Sequence, residues 1–400
     1  MLNDPIVIVG CARTPMGAFQ GELKGFAAPA LGAAAVRAAV ERARIRPEQV
    51  QEVIMGCVLS AGQGQAPARQ AALGAGLPAA TGCTTINKMC GSGMKAAMLA
   101  HDLLAAGTND IMVAGGMESM TNAPYLLPQA RAGYRMGHQQ VVDHMFRDGL
   151  EDAYDRGRLM GTFAEDCAAK YGFTREAQDR FAIASLERAQ AANREGWFAW
   201  ETTPLSLAAA GSIKAGKEER FIESDEQPFK ADPAKIATLK PAFRADGTVT
   251  AANSSSISDG AAALVLMRRS TAERLGLAPL AAIAAHATHA QEPAWFTTAP
   301  IGAIKKVADR ALWRLSDVDL YEINEAFAVV AMAAMQAHGL PHEKVNVHGG
   351  ACALGHPIGA SGARIMVTLL GALRKRGLRR GIASLCIGGG EATAVALELV

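Results

Sequence analysis

Apolar positions along the chain fall into two patterns that alternate. Short apolar runs typical of buried strands lie at residues 6–9, 50–59, 83–87 and 111–115. Helical spacing predicts helices at residues 28–44 and 68–74. Residues 94–106 are apolar nearly all round, which predicts a buried helix, and residues 11–17 are predicted to form a turn. Strands that alternate with helices indicate a layered α/β domain.

Between residues 122 and 246 this pattern is lost. Prolines, charged residues and tryptophans gather there, around one clear helical segment at residues 174–192. Such a stretch is either an excursion on the surface or an insertion with a binding or assembly role. We interpret it as an insertion that covers the substrate.

After residue 247 the layered pattern returns as a repeat of the first part. Residues 31–33 (Leu-Gly-Ala) are echoed by 301–303 (Ile-Gly-Ala), and 91–93 (Gly-Ser-Gly) by 360–362 (Ala-Ser-Gly), both at an offset of about 270 residues. A nearly constant offset indicates a duplicated domain. The apolar helices that follow residues 93 and 362 should then lie back to back between two sheets, with both N-termini at one shared site.

This repeat predicts three units. The predicted units are an N-terminal domain of residues 1–121 plus 247–278, an inserted loop domain of residues 122–246, and a C-terminal domain of residues 279–400.

The candidate nucleophile is Cys90, in the stretch of residues 87–93 (Asn-Lys-Met-Cys-Gly-Ser-Gly). It stands where a loop enters the predicted buried helix, and a helix N-terminus favours an anion such as a thiolate. Gly91 and Gly93 are interpreted as leaving room for a large substrate. The alternative is that Cys90 is an inert core cysteine.

Composition excludes several classes of protein. The 400 residues carry a net charge of +2, from 40 basic and 38 acidic residues, so nothing favours nucleic acid or a membrane surface as a partner. The seven cysteines form no C-x-x-C pair, and their number is odd. We therefore expect free thiols in a reducing cytoplasm and no metal site. The start of the chain has neither a basic region nor a cleavage site, in keeping with a cytoplasmic protein.

Three further stretches supply polar groups for the shared site. His356 lies just before the second buried helix, so the repeat places it opposite Cys90, where an imidazole can take the thiol proton. Cys386 ends a predicted strand and is followed by three glycines, whose backbone N–H groups can bind an oxyanion. Asn324 is predicted to open a helix, either as a plain N-cap or as the holder of a water.

These stretches together resemble a known family. Residues 87–95, 324–328, 355–362 and 386–390 are similar, in order and spacing, to the four signature blocks of the thiolases, and the likeness covers essentially the whole chain. Within that family the chain looks most like the acetyl-CoA acetyltransferase group. The resemblance implies an α/β fold of two βαβαβαββ halves in a five-layered αβαβα arrangement with an inserted loop domain. It also implies a homotetramer built as a dimer of dimers.

The resemblance further implies roles for these residues. Cys90 would be acylated, His356 would activate it, and Cys386 would move the proton on the α-carbon of acetyl-CoA. Asn324 would hold a water that binds the thioester oxygen together with His356, and the N–H groups of Cys90 and Gly388 would form a second oxyanion hole. A ping-pong mechanism follows, with coenzyme A and acetyl-CoA as substrates and no permanently bound cofactor.

Substrate-binding positions carry over from the same family. The residues that would line the pantetheine channel are Ser255, Met160, Phe243, Ala326 and Phe327. The chain departs from the family at Leu159, where bacterial biosynthetic members often have His, and at Phe296, where many members have Met. Thiolases with an aromatic residue there include some that accept 2-methyl-branched substrates. Lys230 is the candidate for the nucleotide end of coenzyme A, although Phe229 occupies a position where Arg is common.

Three alternatives remain open from the sequence. A 3-ketoacyl-CoA thiolase of longer or specialised chain preference would share this chemistry. A condensing enzyme of the ketosynthase kind would carry a second His in place of the Cys386 block. An inactive CoA-binding scaffold would lose members of the site. The physiological direction of the reaction is not set by the sequence.

Overall fold

The computed structural model describes residues 4–208 and 219–400. The predictions made for residues 1–3, at the start of the N-terminal domain, and for residues 209–218, inside the inserted domain, lie outside the described residues. Among the described residues, no helix is long and apolar enough to cross a membrane.

The first half of the chain forms five strands and three helices. The strands are β1 (Ile6–Arg13), β2 (Gly17–Ala18), β3 (Glu52–Gly56), β4 (Gly82–Ile86) and β5 (Ile111–Ser119). The helices are α1 (Ala28–Ala43), α2 (Pro67–Gly74) and α3 (Ser92–Ala105).

The middle of the chain contributes short strand pairs and helices. These elements are β6 (Tyr125–Leu126), β7 (Val142–Asp143), α4 (Met160–Tyr171), α5 (Arg175–Arg194), β8 (Leu205–Ser206), β9 (Phe221–Ile222) and α6 (Pro233–Ile236). In the described part of the chain, these four strands pair only with one another, as β6–β7 and β8–β9, and do not join the large sheet.

The rest of the chain returns to long strands and buried helices. The elements are β10 (Ser258–Arg268), α7 (Arg269–Arg274), β11 (Ala281–Ala290), α8 (Ala299–Ala311), β12 (Leu320–Ile323), α9 (Ala328–His338), α10 (Ala351–Leu354), α11 (Ser361–Arg376), β13 (Arg380–Ile387) and β14 (Glu391–Leu399).

The long strands pair in the order β12-β13-β14-β11-β1-β10-β5-β3-β4. Strands β3, β4 and β5 are parallel to one another, as are β12 and β13, whereas β10 and β14 run antiparallel to their neighbours. The two halves of the sheet meet where β1 pairs with β11, at Val7 with Ala282 and Ile8 with Ala281. Strand β10, although it follows the inserted segment, completes the first half of the sheet, and β11 to β14 form the second half.

Three apolar clusters confirm the predicted five-layered arrangement. One cluster joins α1 and α2 to the outer face of the first half-sheet, one joins α8 and α9 to the outer face of the second, and the third holds α3 and α11 between the sheets. The central helices touch at their first turns. A Cβ on Gly93 would lie 2.9 Å from the Ala363 nitrogen, and one on Gly362 would strike the Met94 backbone. Only glycine allows this approach.

Two local features differ from the sequence prediction. Strand β1 continues to Arg13, where a turn was predicted, because residues 11–13 pair with Ala262–Leu264 of β10, far along the chain. In the second half, the strand between α9 and α11 is reduced to a single bridge between Tyr321 and Val345. The Asn346 amide replaces the missing ladder, since it accepts the Ile323 N–H at 2.8 Å and donates to the Ile323 carbonyl at 2.8 Å.

Candidate active site

The four sequence blocks converge on a single cavity between the two halves. Cys90 and His356, which precede α3 and α11, face this cavity together with Cys386 and Gly388 from the end of β13. The remaining lining residues are Met89, Gly149, Leu150, Met160, Ser255, Phe296, Ala326, Phe327 and Ile358. The cavity thus has a mainly apolar wall and a small group of reactive side chains at one place.

A strained turn presents Cys90. Met89 adopts a φ of 46°, in the left-handed region that a non-glycine residue rarely occupies. The Asn87 side chain holds this turn by accepting the Met89 N–H at 2.9 Å, and the Ser92 hydroxyl donates to the Met89 carbonyl at 2.6 Å. Strained backbone maintained by side-chain hydrogen bonds is typical of functional sites.

The glycines beside Cys90 serve packing within the protein. A Cβ on Gly91 would overlap the Ile387 side chain, and Gly93 contacts α11. The prediction that they make room for a large substrate is therefore wrong for these two positions. Gly91 lets the turn that carries Cys90 approach the end of β13, close to Gly388, and Gly93 lets α3 approach α11. The ion pair between Lys88 and Glu391, at 2.5 Å, joins the same two segments.

Burial outweighs the helix terminus at the Cys90 thiol. Burial raises the pKa of Cys90 to about 11, although the backbone N–H groups of Gly388 and of Cys90 itself favour the thiolate. Helix α3 begins at Ser92, two residues after the cysteine. This pKa favours the thiol form of Cys90 at neutral pH over the thiolate that a helix terminus favours.

His356 is poised as a neutral acceptor. Burial, followed by the charge of Arg364, lowers the pKa of His356 to about 3. Its Nδ1 lies 2.6 Å from the Ser361 hydroxyl, which donates its only proton to the Pro357 carbonyl at 2.9 Å. With the Ser361 proton on the Pro357 carbonyl, Ser361 accepts from Nδ1–H, and the lone pair of this tautomer is on Nε2. Nε2 is buried, and no hydrogen-bond partner for it occurs within residues 4–208 and 219–400.

Asn324 reaches the imidazole but does not cap a helix. Helix α9 begins at Ala328, with Phe327 as its N-cap, so the prediction that Asn324 opens a helix is wrong. The Asn324 Nδ2 lies 3.4 Å from His356 Nδ1, and its Oδ1 is buried and has no partner in the described structure. The backbone after β12 stays extended because Ala328 donates to the Asn253 carbonyl and Ser255 to that of Ala326.

Cys386 is buried at the end of β13, opposite Ala392 of β14. Burial raises the pKa of Cys386 well above its ordinary value, and a charge on Cys90 raises it further. The two thiols are therefore close enough that one thiolate opposes the formation of the other.

Most of the predicted substrate-binding residues reach this cavity. Ser255, Met160, Phe296, Ala326 and Phe327 line it. Phe243 does not line the cavity; its ring packs against that of Phe327, with 6.0 Å between the ring centroids. Lys230 lies outside, where its ammonium group pairs with Glu226.

Sequence reasoning missed several residues of the site. Met89, Gly149, Leu150 and Ile358 line the cavity, and two of them come from the middle of the chain, where no motif marks them. It also missed Glu118, at the end of β5. The Glu118 carboxylate accepts the N–H groups of Val58 and Leu59 at 3.0 Å and of Gly359 at 2.8 Å, and so ties the loop after His356 to the first half. Burial raises the pKa of Glu118 to about 7.

Two protein-family models match this chain, one over its N-terminal part and one over its C-terminal part. The family model described as thiolase, N-terminal domain, matches residues 6–270, and the one described as thiolase, C-terminal domain, matches residues 277–399. The chain belongs to the thiolase family. The cavity takes Cys90 and Ser255 from the first match, and His356, Cys386 and Gly388 from the second.

Related proteins match nearly the whole length of this chain. Acetyl-CoA acetyltransferase 2 of Arabidopsis thaliana is 53% identical over 397 residues, which are 99% of this chain and 97% of the relative. Acetyl-CoA acetyltransferase of Cupriavidus necator is 50% identical over 394 residues, which are 98% of this chain and 99% of the relative. The crystal structure of a thiolase from Ascaris suum in complex with coenzyme A aligns with a TM-score of 0.92 and 39% identity, over 99% of this chain and 100% of that one.

The raised pKa of Cys90 gives a testable pH dependence. Because the pKa lies near 11, the thiolate fraction in the free thiolase should rise about tenfold per pH unit from pH 7 to pH 10. Alkylation of Cys90 by iodoacetamide, followed by peptide mass spectrometry, should rise with the same slope. A rate that is flat across this range would instead indicate a preformed thiolate–imidazolium pair.

Proposed function

We propose that this chain is an acetyl-CoA C-acetyltransferase. It cleaves acetoacetyl-CoA with coenzyme A into two molecules of acetyl-CoA, and it catalyses the reverse Claisen condensation. The observation that carries this proposal is the meeting of Cys90, His356, Cys386 and Gly388 in one cavity of a thiolase chain. The names of the relatives from Arabidopsis thaliana and Cupriavidus necator support the same activity.

In the first half-reaction the Cys90 sulfur attacks the 3-keto carbon of acetoacetyl-CoA. Its proton passes to His356 Nε2, the ring nitrogen that the Ser361 contact leaves unprotonated. The bond between C2 and C3 then breaks, and the enolate of acetyl-CoA takes a proton from the Cys386 thiol. The products are free acetyl-CoA, acetyl-Cys90, an imidazolium and a Cys386 thiolate, so protons and charge balance.

Acetylation of Cys90 prepares Cys386 for the second half-reaction. A charge on Cys90 raises the pKa of Cys386, and acetyl-Cys90 carries no charge, so the Cys386 thiolate is better tolerated in the acetyl-enzyme. This thiolate takes the proton of incoming coenzyme A, whose sulfur attacks the acetyl group. The Cys90 sulfur leaves and regains its proton from His356. Acetylation of Cys90 in the first step therefore favours the Cys386 thiolate that the second step requires.

Each half-reaction develops a negative charge on an oxygen. The tetrahedral intermediate at Cys90 would be stabilised by the N–H groups of Cys90 and Gly388, which already favour a negative charge at the Cys90 sulfur. The enolate oxygen would be stabilised beside His356, and Asn324 is the neighbouring amide for this role. That Asn324 acts through a water remains a prediction.

The rest of the cavity fits the pantetheine arm and a short acyl group. The loop that carries Ser255 is bonded both to Ala326 and, through the Ser256 carbonyl at 3.2 Å, to the backbone of His356. Substrate contacts on this loop are thereby held in register with the imidazole. For the nucleotide end, a second concavity is lined by Asp232 and Lys235, and we propose Lys235, in addition to Lys230, as a candidate basic contact.

The experiment that tests the activity is steady-state thiolysis of unbranched 3-ketoacyl-CoA esters of increasing chain length. We expect kcat/KM to be greatest for acetoacetyl-CoA. A strong preference for chains of eight or more carbons would instead assign the chain to the longer-chain 3-ketoacyl-CoA thiolases.

Phe296 should set the shape of the acyl pocket. It is 3% exposed, lines the cavity, and packs edge-on against Phe163 at 6.1 Å between ring centroids. We expect the wild type to accept 2-methylacetoacetyl-CoA as a slower substrate than acetoacetyl-CoA. Phe296→Met should change the ratio of their kcat/KM values by about tenfold, since one methyl group in an apolar pocket contributes roughly 1–3 kcal/mol. Acetylation of Cys90 should be retained, and an unchanged ratio would exclude Phe296 from acyl selection.

We also propose that the chain assembles as a homotetramer through the inserted loop domain of residues 122–246. The segment of residues 125–141 exposes large apolar side chains, among them Tyr125 at 67% and Met136 at 92%, which favours a protein interface. Light scattering after size exclusion measures the assembly.

All seven cysteines lie in the described part of the chain as free thiols, which supports a cytoplasmic location.

A further inference from the structure

Three metal-binding side chains meet at a place that the proposed reaction does not use. His101 and Asp102 are consecutive residues of α3, and His286 lies on β11. His101 Nδ1 and Asp102 Oδ1 are 3.0 Å apart, His286 Nε2 and the same Asp102 oxygen are 2.8 Å apart, and the two imidazole nitrogens are 3.2 Å apart. In the described part of the chain, this is the one group of three or more such residues whose ligand atoms converge.

The triangle formed by these three atoms has the dimensions of one face of a coordination polyhedron. Bonds of about 2.0–2.1 Å to a metal ion place neighbouring ligand atoms about 3.3 Å apart in a tetrahedral site and about 2.9 Å apart in an octahedral one. The observed separations of 2.8, 3.0 and 3.2 Å span the octahedral value and approach the tetrahedral one. An ion could therefore contact all three atoms after small shifts of the side chains.

Hydrogen bonding to Asp102 does not account for the whole cluster. If each imidazole donates one N–H to the carboxylate oxygen, the two donor nitrogens face each other at 3.2 Å. In the other tautomer one nitrogen accepts from its neighbour and makes no hydrogen bond to Asp102. A cation bound by the lone pairs of both nitrogens would contact all three ligand atoms, and His286 Nδ1, which is buried and has no partner in the described structure, would carry the ring proton.

Charge and exposure also suit a cation. Asp102 supplies a carboxylate oxygen to the group, and each of the two imidazoles supplies one ring nitrogen. The side chains of His101 and His286 are 12% and 14% exposed, and that of Asp102 is 55% exposed. The carboxylate side thus faces solvent, where an ion can enter and keep water ligands.

We propose that His101, Asp102 and His286 form a binding site for a divalent first-row transition metal ion, with Zn²⁺ as the preferred ion. Two imidazoles and one carboxylate with open positions are a common ligand set for such ions. The site joins α3 of the first half to β11 of the second, so a bound ion clamps the two halves together.

The ion is expected to act on stability and not on the chemistry. His101 lies nine residues after the start of α3, which is roughly 14 Å along the helix axis from the end that carries Cys90. Metal binding should therefore raise the melting temperature, because a ligand that binds the folded state stabilises it. Failure of this site would leave the proposed acetyltransferase activity untouched, so the two proposals are tested independently.

The test compares Zn²⁺ binding by four full-length proteins in equilibrium dialysis. These are the wild type, His286→Asn, Asp102→Asn and His289→Asn. His289 is a matched control: it lies on the same strand, but its ring packs against Gly302 of α8, on the outer face. Asp102→Asn replaces an exposed carboxylate by an amide of the same shape, so it serves where His286→Asn fails to fold.

We expect one tightly bound Zn²⁺ per chain, and a higher melting temperature with Zn²⁺, in the wild type and in His289→Asn. Affinity should fall at least about 100-fold in Asp102→Asn and His286→Asn, since even groups that only orient metal ligands contribute up to that factor. Bound Co²⁺ should show no thiolate charge-transfer band, which distinguishes this site from the cysteines of the cavity. Equal affinity in all four proteins, no binding by the wild type, or a thiolate band would each overturn the proposal.

Discussion

Cys90→Ala is expected to lower thiolysis of acetoacetyl-CoA by at least about 10⁴-fold, the scale of effect seen when a covalent nucleophile is removed. The Gly388 N–H favours a negative charge on the Cys90 sulfur. Cys90 also lies on a turn that hydrogen bonds of the Asn87 and Ser92 side chains hold in place. Cys386, the other cysteine that lines the cavity, lies at the end of β13 and not on that turn. The folded structure should survive, because the substitution removes one partly buried sulfur beside Gly91.

The covalent step can be observed directly. Wild-type protein incubated with acetyl-CoA alone, then digested and analysed by mass spectrometry, should carry acetyl on the peptide that contains Cys90. Cys83→Ala is the matched control, since Cys83 is also a partly buried cysteine of the first half but does not line the cavity. This control should keep full activity and acetylation. Label on another cysteine, with Cys90 unmodified, would refute the assignment.

Cys386→Ala is expected to separate the two chemical roles of the cavity. The variant should still accept an acetyl group on Cys90 from acetyl-CoA, although more slowly, because His356 and the Gly388 N–H remain in place and coenzyme A, as a thiol, can leave as its thiolate without the Cys386 proton. Thiolysis and condensation should fall by about 10²–10⁴-fold, the usual contribution of a positioned acid or base. Single-turnover acetylation and steady-state thiolysis, measured on the same preparation, distinguish the two effects.

Cys167→Ala provides the control for Cys386→Ala. Cys167 lies in α4, in the same apolar cluster as Cys386, but outside the lining of the cavity. Cys167→Ala should therefore show how much activity is lost when a buried sulfur is removed without the loss of an acid or base. Comparable losses in both variants, or normal condensation by Cys386→Ala, would rule out the proposed role.

The duplication was predictable because the helices that follow Gly93 and Gly362 repeat one local pattern at a constant offset. The five layers were implied by the resemblance to the thiolases, whereas the duplication itself predicted the central pair α3 and α11 between two sheets and the meeting of Cys90 with His356. Each of these depends on local composition that the two halves share. The boundaries of α1 and α2 were predicted to within one residue for the same reason.

Other features depend on partners that are distant in sequence. The length of β1 is set by β10, and the reduced strand before α11 by the Asn346 amide and its contact with Ile323. Gly91 proved to make room for Ile387, a contact between the two halves that no local pattern encodes. The same is true of Glu118, whose three N–H donors come from two loops.

By itself, the sequence determined the family, the layered architecture and which side chains approach one another, because repeats and motifs are properties of neighbouring residues. Only the tertiary structure decided the protonation states of those side chains. At Cys90 the helix terminus favours a thiolate, yet burial between the halves raises the pKa to about 11, and burial likewise leaves His356 uncharged. The cluster of His101, Asp102 and His286 was equally invisible, since β11 and α3 meet only when the two halves pack together and desolvate what lies between them.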